Sequence, residues 1–281
     1  MNDRRSRVPT RRTIVAVALT VAAVGFGASV PAGAVAGTST ATADTATCSD
    51  VLFVGARGSG QPQSGASDDA GTGLGRQVYG MSQRLAAQLP GSTITTVAAT
   101  YPAQGVELLA INPTAYFAGL EEGVANVQAE LRNRAMSCPD ERIVLAGYSQ
   151  GAMVMHRALQ GLAAAQDPAG RQLLARTDGA ILVSDGDRRP RDRATDYGTA
   201  RRSRGIGFAL RPESGTRAAK LPAGMRSRIH SVCLALDVVC DYQPDVHNGI
   251  GALQGAAVHT DGYDDSRFVN RAVDAVADRI S

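Results

Sequence analysis

The chain has 281 residues, 44% of them apolar and 20% charged, which suits one globular domain with a sizeable core. Its formal net charge is +3, but residues 1–43 carry five arginines and one aspartate, leaving 24 basic against 25 acidic residues in the remainder. No general affinity for nucleic acid follows from that balance, and no nucleotide-binding loop, metal cluster or haem motif occurs, so neither a cofactor nor a bound metal is expected.

Arg4, Arg5, Arg7, Arg11 and Arg12 precede an uncharged apolar run from Thr13 to about Val30. This pattern reads as a secretory signal peptide rather than a short membrane anchor, because Gly25, Gly27, Ser29 and Pro31 lead into a small-residue tract. Ala34-Val35-Ala36 and Ala41-Thr42-Ala43 both fit a cleavage site, so cleavage is expected before Gly37 or Asp44. Thr10-Arg11-Arg12 also permits a twin-arginine export route. Residues 1–43 are thus expected to be signal peptide and disordered leader, and 44–281 the folded, exported domain. Its four cysteines, Cys48, Cys138, Cys233 and Cys240, allow three pairings in an oxidising compartment. Pairing the close Cys233 and Cys240 would close a small loop and leave Cys48 with Cys138 as a long-range staple; the spacings do not suit zinc.

Asp50 to Ala56 reads as a buried strand, and Arg57-Gly58-Ser59-Gly60 after it as a turn of the glycine-rich kind that approaches ligands closely. Apolar residues at helical spacing through Val78, Met81, Leu85 and Leu89 predict a helix from about Gly75, and the β-branched run Thr93 to Ala99 a second strand. Gln104 to Leu120 is mixed; its apolar members suit either core packing around a turn or the wall of a substrate pocket. Glu121 to Met136 is expected to be a helix. Ile143 to Ala146 then run without alternation into Gly147-Tyr148-Ser149-Gln150-Gly151, and a helical pattern follows to about Ala165. Ala180 to Ser184 and Arg228 to Cys233 read as further strands, and Asp265 to Ile280 as a last helix. Between them, Asp187 to Arg204 holds seven arginines and three aspartates with no apolar period. It reads first as a solvated insertion, second as a surface for acidic lipid headgroups or an envelope polymer. Alternating strands and helices predict an α/β fold, a three-layer parallel sheet with helices on both faces.

Gly147 to Gly151 is a G-x-S-x-G nucleophile elbow, in which small residues let the backbone bend sharply enough to lift the serine hydroxyl above the sheet edge. A serine hydroxyl is a weak nucleophile at neutral pH and needs a base, which in turn needs an orienting carboxylate. His156 is carried away from the elbow tip by its own helix and reads as structural. His230 lies inside a predicted strand, which leaves His247 and His259 as candidate bases. Asp237, in the loop between Cys233 and Cys240, is the carboxylate best placed to orient one of them.

Taken together, Cys48-x-x-Val-x-x-x-x-Ala56-Arg57-Gly58-Ser59-Gly60, Tyr101-Pro102-Ala103, Cys138-Pro139, the elbow, Cys233-x-x-x-Asp237-x-x-Cys240 and His259-Thr260-Asp261-Gly262-Tyr263 resemble the secreted cutinases, in particular actinobacterial cutinase-like esterases and lipases. The resemblance runs from Cys48 to the C-terminal helix. It implies a cutinase-type α/β-hydrolase fold, Ser149 as nucleophile, His259 as base, Asp237 as its orienter, and an oxyanion hole from the amides of Ser59 and Gln150, with the Ser59 hydroxyl as an extra donor. It also implies the pairs Cys48 with Cys138 and Cys233 with Cys240. Two departures stand out: the interval from Asp237 to His259 is longer than in compact fungal cutinases, and the segment from Asp187 to Ser227 is enlarged. The expected activity is that of a secreted serine carboxylester hydrolase, a monomer acting on an ester or lipid, with peripheral contact to lipid or cell envelope. An acyltransferase on envelope glycolipids and a non-catalytic envelope protein that kept the fold are the alternatives.

Overall fold

A computed structural model describes residues 47–63, 71–200, 202–210, 213–216 and 219–281. The expected leader and its cleavage sites lie outside these residues. Six strands form one fully parallel sheet: β1 (Val51–Ala56), β2 (Ile94–Ala98), β3 (Arg142–Tyr148), β4 (Thr177–Val183), β5 (Thr195–Gly198) and β6 (Ile229–Cys233), in the order β2-β1-β3-β4-β6-β5. β1 is buried at every position because helices cover both faces of the sheet. Leu52, Val54 and Ala56 join one core, Val51 and Phe53 the other.

The helices follow from the crossovers. The chain leaves β1 for β2 on one side and returns to β3 on the other, so right-handed connections put α1 (Arg76–Gln88) and α3 (Pro113–Ser137) on opposite faces. α4 (Gln150–Ala165) packs beside α3, and α7 (Arg267–Ile280) beside α1. α7 buries Val269, Ala272, Val273, Val276 and Ile280, a clean helical stripe, and starts where the Ser266 side chain accepts from the Phe268 amide.

Two expectations change between β2 and β4. The mixed stretch before Glu121 is mostly helix: α2 (Val106–Ile111) is followed at once by α3, which begins eight residues earlier than expected because Asn112 caps it and Pro113 takes its first turn. Tyr116, Phe117 and Leu120 are core residues. α5 (Pro168–Arg176) is an additional helix with the same start signal, Asp167 followed by proline.

The arginine-rich segment is only partly solvated. It supplies the edge strand β5, and Arg188 is buried, donating to Ser231 Oγ at 3.1 Å, the Ala200 carbonyl at 2.6 Å and Asp196 Oδ1 at 2.8 Å. Buried Arg157 of α4 likewise holds Asp187 and Glu121. An arginine whose donors all find acceptors can be enclosed, whereas an unpaired one cannot. Arg191, Arg193, Arg202 and Arg204 remain exposed.

His230 of β6 is buried, and neither ring nitrogen has a hydrogen-bond partner among the described residues. Burial, helped by the charge of Arg279, pushes its imidazole down to about 4. The folded state therefore resists a proton that the unfolded chain accepts, so stability is intact above the unfolded value near 6.5 and falls as pH drops towards 4. We expect His230→Leu to remove about 2 kcal/mol of the stability loss between pH 8 and pH 5. Urea unfolding of both proteins at the two pH values measures it, and equal pH dependence would show that His230 is not responsible.

Candidate active site

β1 and β3 are adjacent although β2 intervenes in sequence, so the crevice at their C-terminal ends is the switch point of the sheet, where open α/β sheets bind ligands. The turns after both strands meet there. The first places Ser59, the second Ser149.

Ser149 joins β3 to α4 with φ 56° and ψ −119°, a conformation that side chains rarely adopt. The flanking glycines make it possible. A Cβ on Gly147 would lie 2.3 Å from the Gly151 carbonyl oxygen, and one on Gly151 would lie 2.0 Å from that of Ala56. The second contact shows how tightly the first turn of α4 abuts the end of β1. The Ser149 amide donates to the Val183 carbonyl at 2.9 Å, which ties the elbow to β4.

Ser149 Oγ lies 3.0 Å from His259 Nε2. His259 Nδ1 lies 3.2 and 3.3 Å from the two carboxylate oxygens of Asp237 and 2.9 Å from Ser184 Oγ. The structure thus brings together the three residues singled out from sequence. His259 sits in the last turn of a helix, α6 (Ile250–Asp261). Tyr148 holds it from below: its hydroxyl donates to the His259 carbonyl at 2.6 Å, and its ring stacks on the imidazole at 5.1 Å between centroids.

Asp237 is fully buried. Its Oδ1 accepts from the amides of Val239 at 2.7 Å and Cys240 at 3.3 Å, and its Oδ2 from the Tyr263 hydroxyl at 2.5 Å. Burial alone would raise its pKa, but hydrogen bonding and attraction from His259, with the hydroxyls of Tyr263 and Ser184, outweigh it and hold the carboxyl below the ordinary range. Burial and the adjacent Asp237 charge push Tyr263 well above the usual phenol range, so its hydroxyl keeps its proton and donates.

The other histidines are engaged elsewhere. His247 accepts from the Gln243 amide at Nδ1 (3.0 Å) and donates from Nε2 to the Leu236 carbonyl (2.9 Å), bracing the loop that carries Asp237. His156 is buried against Asp185 at 2.6 Å and Gln160 at 3.0 Å. Burial works against its charge, but Asp185 more than compensates and raises its pKa.

The turn after β1 is pinned by Arg57, which donates to the carbonyls of Gln61 (2.8 Å), Ala99 (3.4 Å) and Tyr101 (2.5 Å). The Gly58 amide donates to Gln61 Oε1 at 2.7 Å and the Gly60 amide to the Ala103 carbonyl at 2.7 Å. The Ser59 amide between them has no acceptor among the described residues, and its hydroxyl is hydrogen-bonded to Tyr116 Oη. The Gln150 amide opens α4, where no intrahelical acceptor exists. Two donors therefore stand at the elbow, an arrangement suited to anionic oxygen.

Both disulfides pair as the resemblance implied, Cys48 with Cys138 and Cys233 with Cys240. Sequence reasoning gave no role to Ser184, Tyr148, Tyr263 or Arg57. For Ser184 the available signal was its place at the C-terminal end of a predicted strand; Tyr148 and Tyr263 lay inside quoted motifs.

Comparison with known proteins bears on the family and the fold. A carboxylesterase of Mycobacterium tuberculosis, Culp1, is 34% identical over 108 residues, which are 38% of this chain and 42% of that protein. An acetylxylan esterase of Hypocrea jecorina is 30% identical over 172 residues, 59% of this chain and 54% of that one. The chain thus aligns with about half or less of the length of these curated relatives. The solved structure of a cutinase-like protein from Cryptococcus sp. superimposes with a TM-score of 0.55 at 20% identity, covering 84% of this chain and 97% of its own, which is a likeness of fold. The family model named Cutinase matches residues 47–249, from the first cysteine through the elbow and the Asp237 loop, and the chain belongs to the cutinase family.

Proposed function

We propose that the protein is an exported serine carboxylester hydrolase working through an acyl-enzyme. The observation that carries this reading is the alignment of Ser149 Oγ, His259 and Asp237, with His259 Nε2 at 3.0 Å from the hydroxyl and Nδ1 turned towards a buried carboxylate. Ser149 attacks the ester carbonyl while His259 takes its proton; the amides of Ser59 and Gln150 stabilise the oxyanion; His259 returns the proton to the leaving alcohol. Asp237 stays ionised, holding the Nδ1–H tautomer and balancing the imidazolium. Water activated by His259 then releases the acid and frees Ser149.

The relatives are named for carboxylic, cutin and acetylxylan esters, so the ester bond is the chemistry they share. An apolar acyl chain suits this surface: Val106 and Ile111 on α2 and Ile250 and Leu253 on α6 are exposed, and α6 carries His259. Four cysteines paired in two disulfides support export to an oxidising compartment.

The protein should release free acid from p-nitrophenyl butyrate and be labelled at Ser149 by a serine-directed alkyl phosphonate, located by peptide mass spectrometry. Absence of both turnover and label would overturn the assignment.

A further inference from the structure

Ser184 occupies a position its backbone does not favour. It ends β4 at φ 52°, in the left-handed region, and is fully buried. A non-glycine residue there carries strain that glycine would relieve. Its neighbour Asp185 is anchored by His156 and by the Asp187 amide, so the turn is held in place from behind. What the serine adds over glycine is a hydroxyl, and that hydroxyl lies 2.9 Å from His259 Nδ1, nearer than either oxygen of Asp237.

We propose that Ser184 is a positioning residue of the esterase centre: its Oγ accepts the Nδ1–H of His259 in company with Asp237, fixing the ring so that Nε2 faces Ser149. This rests on the reading of Ser149, His259 and Asp237 given above. A hydroxyl oxygen can accept from a ring N–H, and this contact is shorter than either one that Nδ1 makes with Asp237. Asp237 already accepts from two amides and Tyr263, which fix its carboxylate in place. Strain kept at a site where a less strained residue would fit is the pattern expected where geometry serves chemistry rather than stability.

The test is Ser184→Gly, which relaxes the backbone and deletes the hydroxyl, with Ser184→Ala as a second variant that deletes it alone. For p-nitrophenyl butyrate, kcat is expected to fall about tenfold in both, the equivalent of one hydrogen bond, with KM unchanged. The melting temperature of Ser184→Gly should equal or exceed that of wild type. In proton NMR the His259 Nδ1–H resonance should move downfield as that proton passes from a hydroxyl oxygen to the carboxylate. A purely structural role predicts unchanged kcat and an unmoved resonance in Ser184→Gly, and either result overturns the proposal. If Ser149→Ala is inactive while Ser184→Gly keeps wild-type kcat, this inference alone falls; if Ser149→Ala keeps wild-type activity, the esterase reading falls with it.

Discussion

Ser149→Ala is expected to lower kcat for a p-nitrophenyl ester by a factor of about a million, with KM little changed. The size follows from what the hydroxyl does. In the proposed mechanism it forms the covalent bond that divides one difficult step into two, a role that needs a nucleophile at this position. Ser149 is almost fully buried and sits on a backbone shaped for it, so removing Oγ should leave the fold intact and the proposed oxyanion donors, the amides of Ser59 and Gln150, in place. Those donors should preserve a residual acceleration of about a thousandfold over water. Because Ser149 and His259 act as a unit, adding His259→Ala to Ser149→Ala should cost almost nothing more. A single variant retaining a tenth of wild-type activity, or two losses that simply multiply, would mean that hydrolysis proceeds by another route.

Parts of this site were legible in sequence because their signals are local. Strand, elbow and helix follow one another within residues 142–165, and the glycines of the elbow are needed for contacts a reader can anticipate from the turn itself. The amphipathic stripe of α7 is equally plain. α6 gave no such signal: only Gly255 among its residues is buried, so it has no apolar stripe, and the histidine it carries was assigned by motif and not by position on a helix. Arg188 was misread for a related reason. In a run of arginines each looks solvated, and the acceptors that enclose this one come from Ala200, Asp196 and Ser231, the last on a strand more than forty residues away. Ser184 was silent because its meaning lies in a contact with His259 across 75 residues of sequence. Asn112-Pro113 and Asp167-Pro168 are local start signals that mark both helices in the sequence itself.

The two disulfides should divide stability from catalysis. Cys48 precedes β1 and Cys138 ends α3 just before β3, so their bond staples two adjacent central strands at their N-terminal ends, the end of the sheet opposite the site. It closes a loop with a sequence separation of 90, for which the loss of unfolded-state freedom corresponds to about 4–5 kcal/mol. The double variant Cys48→Ser with Cys138→Ala should therefore melt about 10–15 °C lower, while kcat at 25 °C stays near wild type. Cys233 and Cys240 are separated by 7 residues, and the same relation gives only about 2.5 kcal/mol. That short loop, however, contains Asp237, whose Oδ1 is held by the amides of Val239 and Cys240. Opening it frees the backbone donors that fix the carboxylate against His259, so its double alanine variant should lose kcat out of proportion to its smaller change in melting temperature. Thermal melts and initial rates on the two variants, both made under oxidising conditions, separate the effects. A Cys48/Cys138 variant that melts within 3 °C of wild type, by order of magnitude from the same relation, would mean that the unfolded chain is already restrained between these strands without the bond.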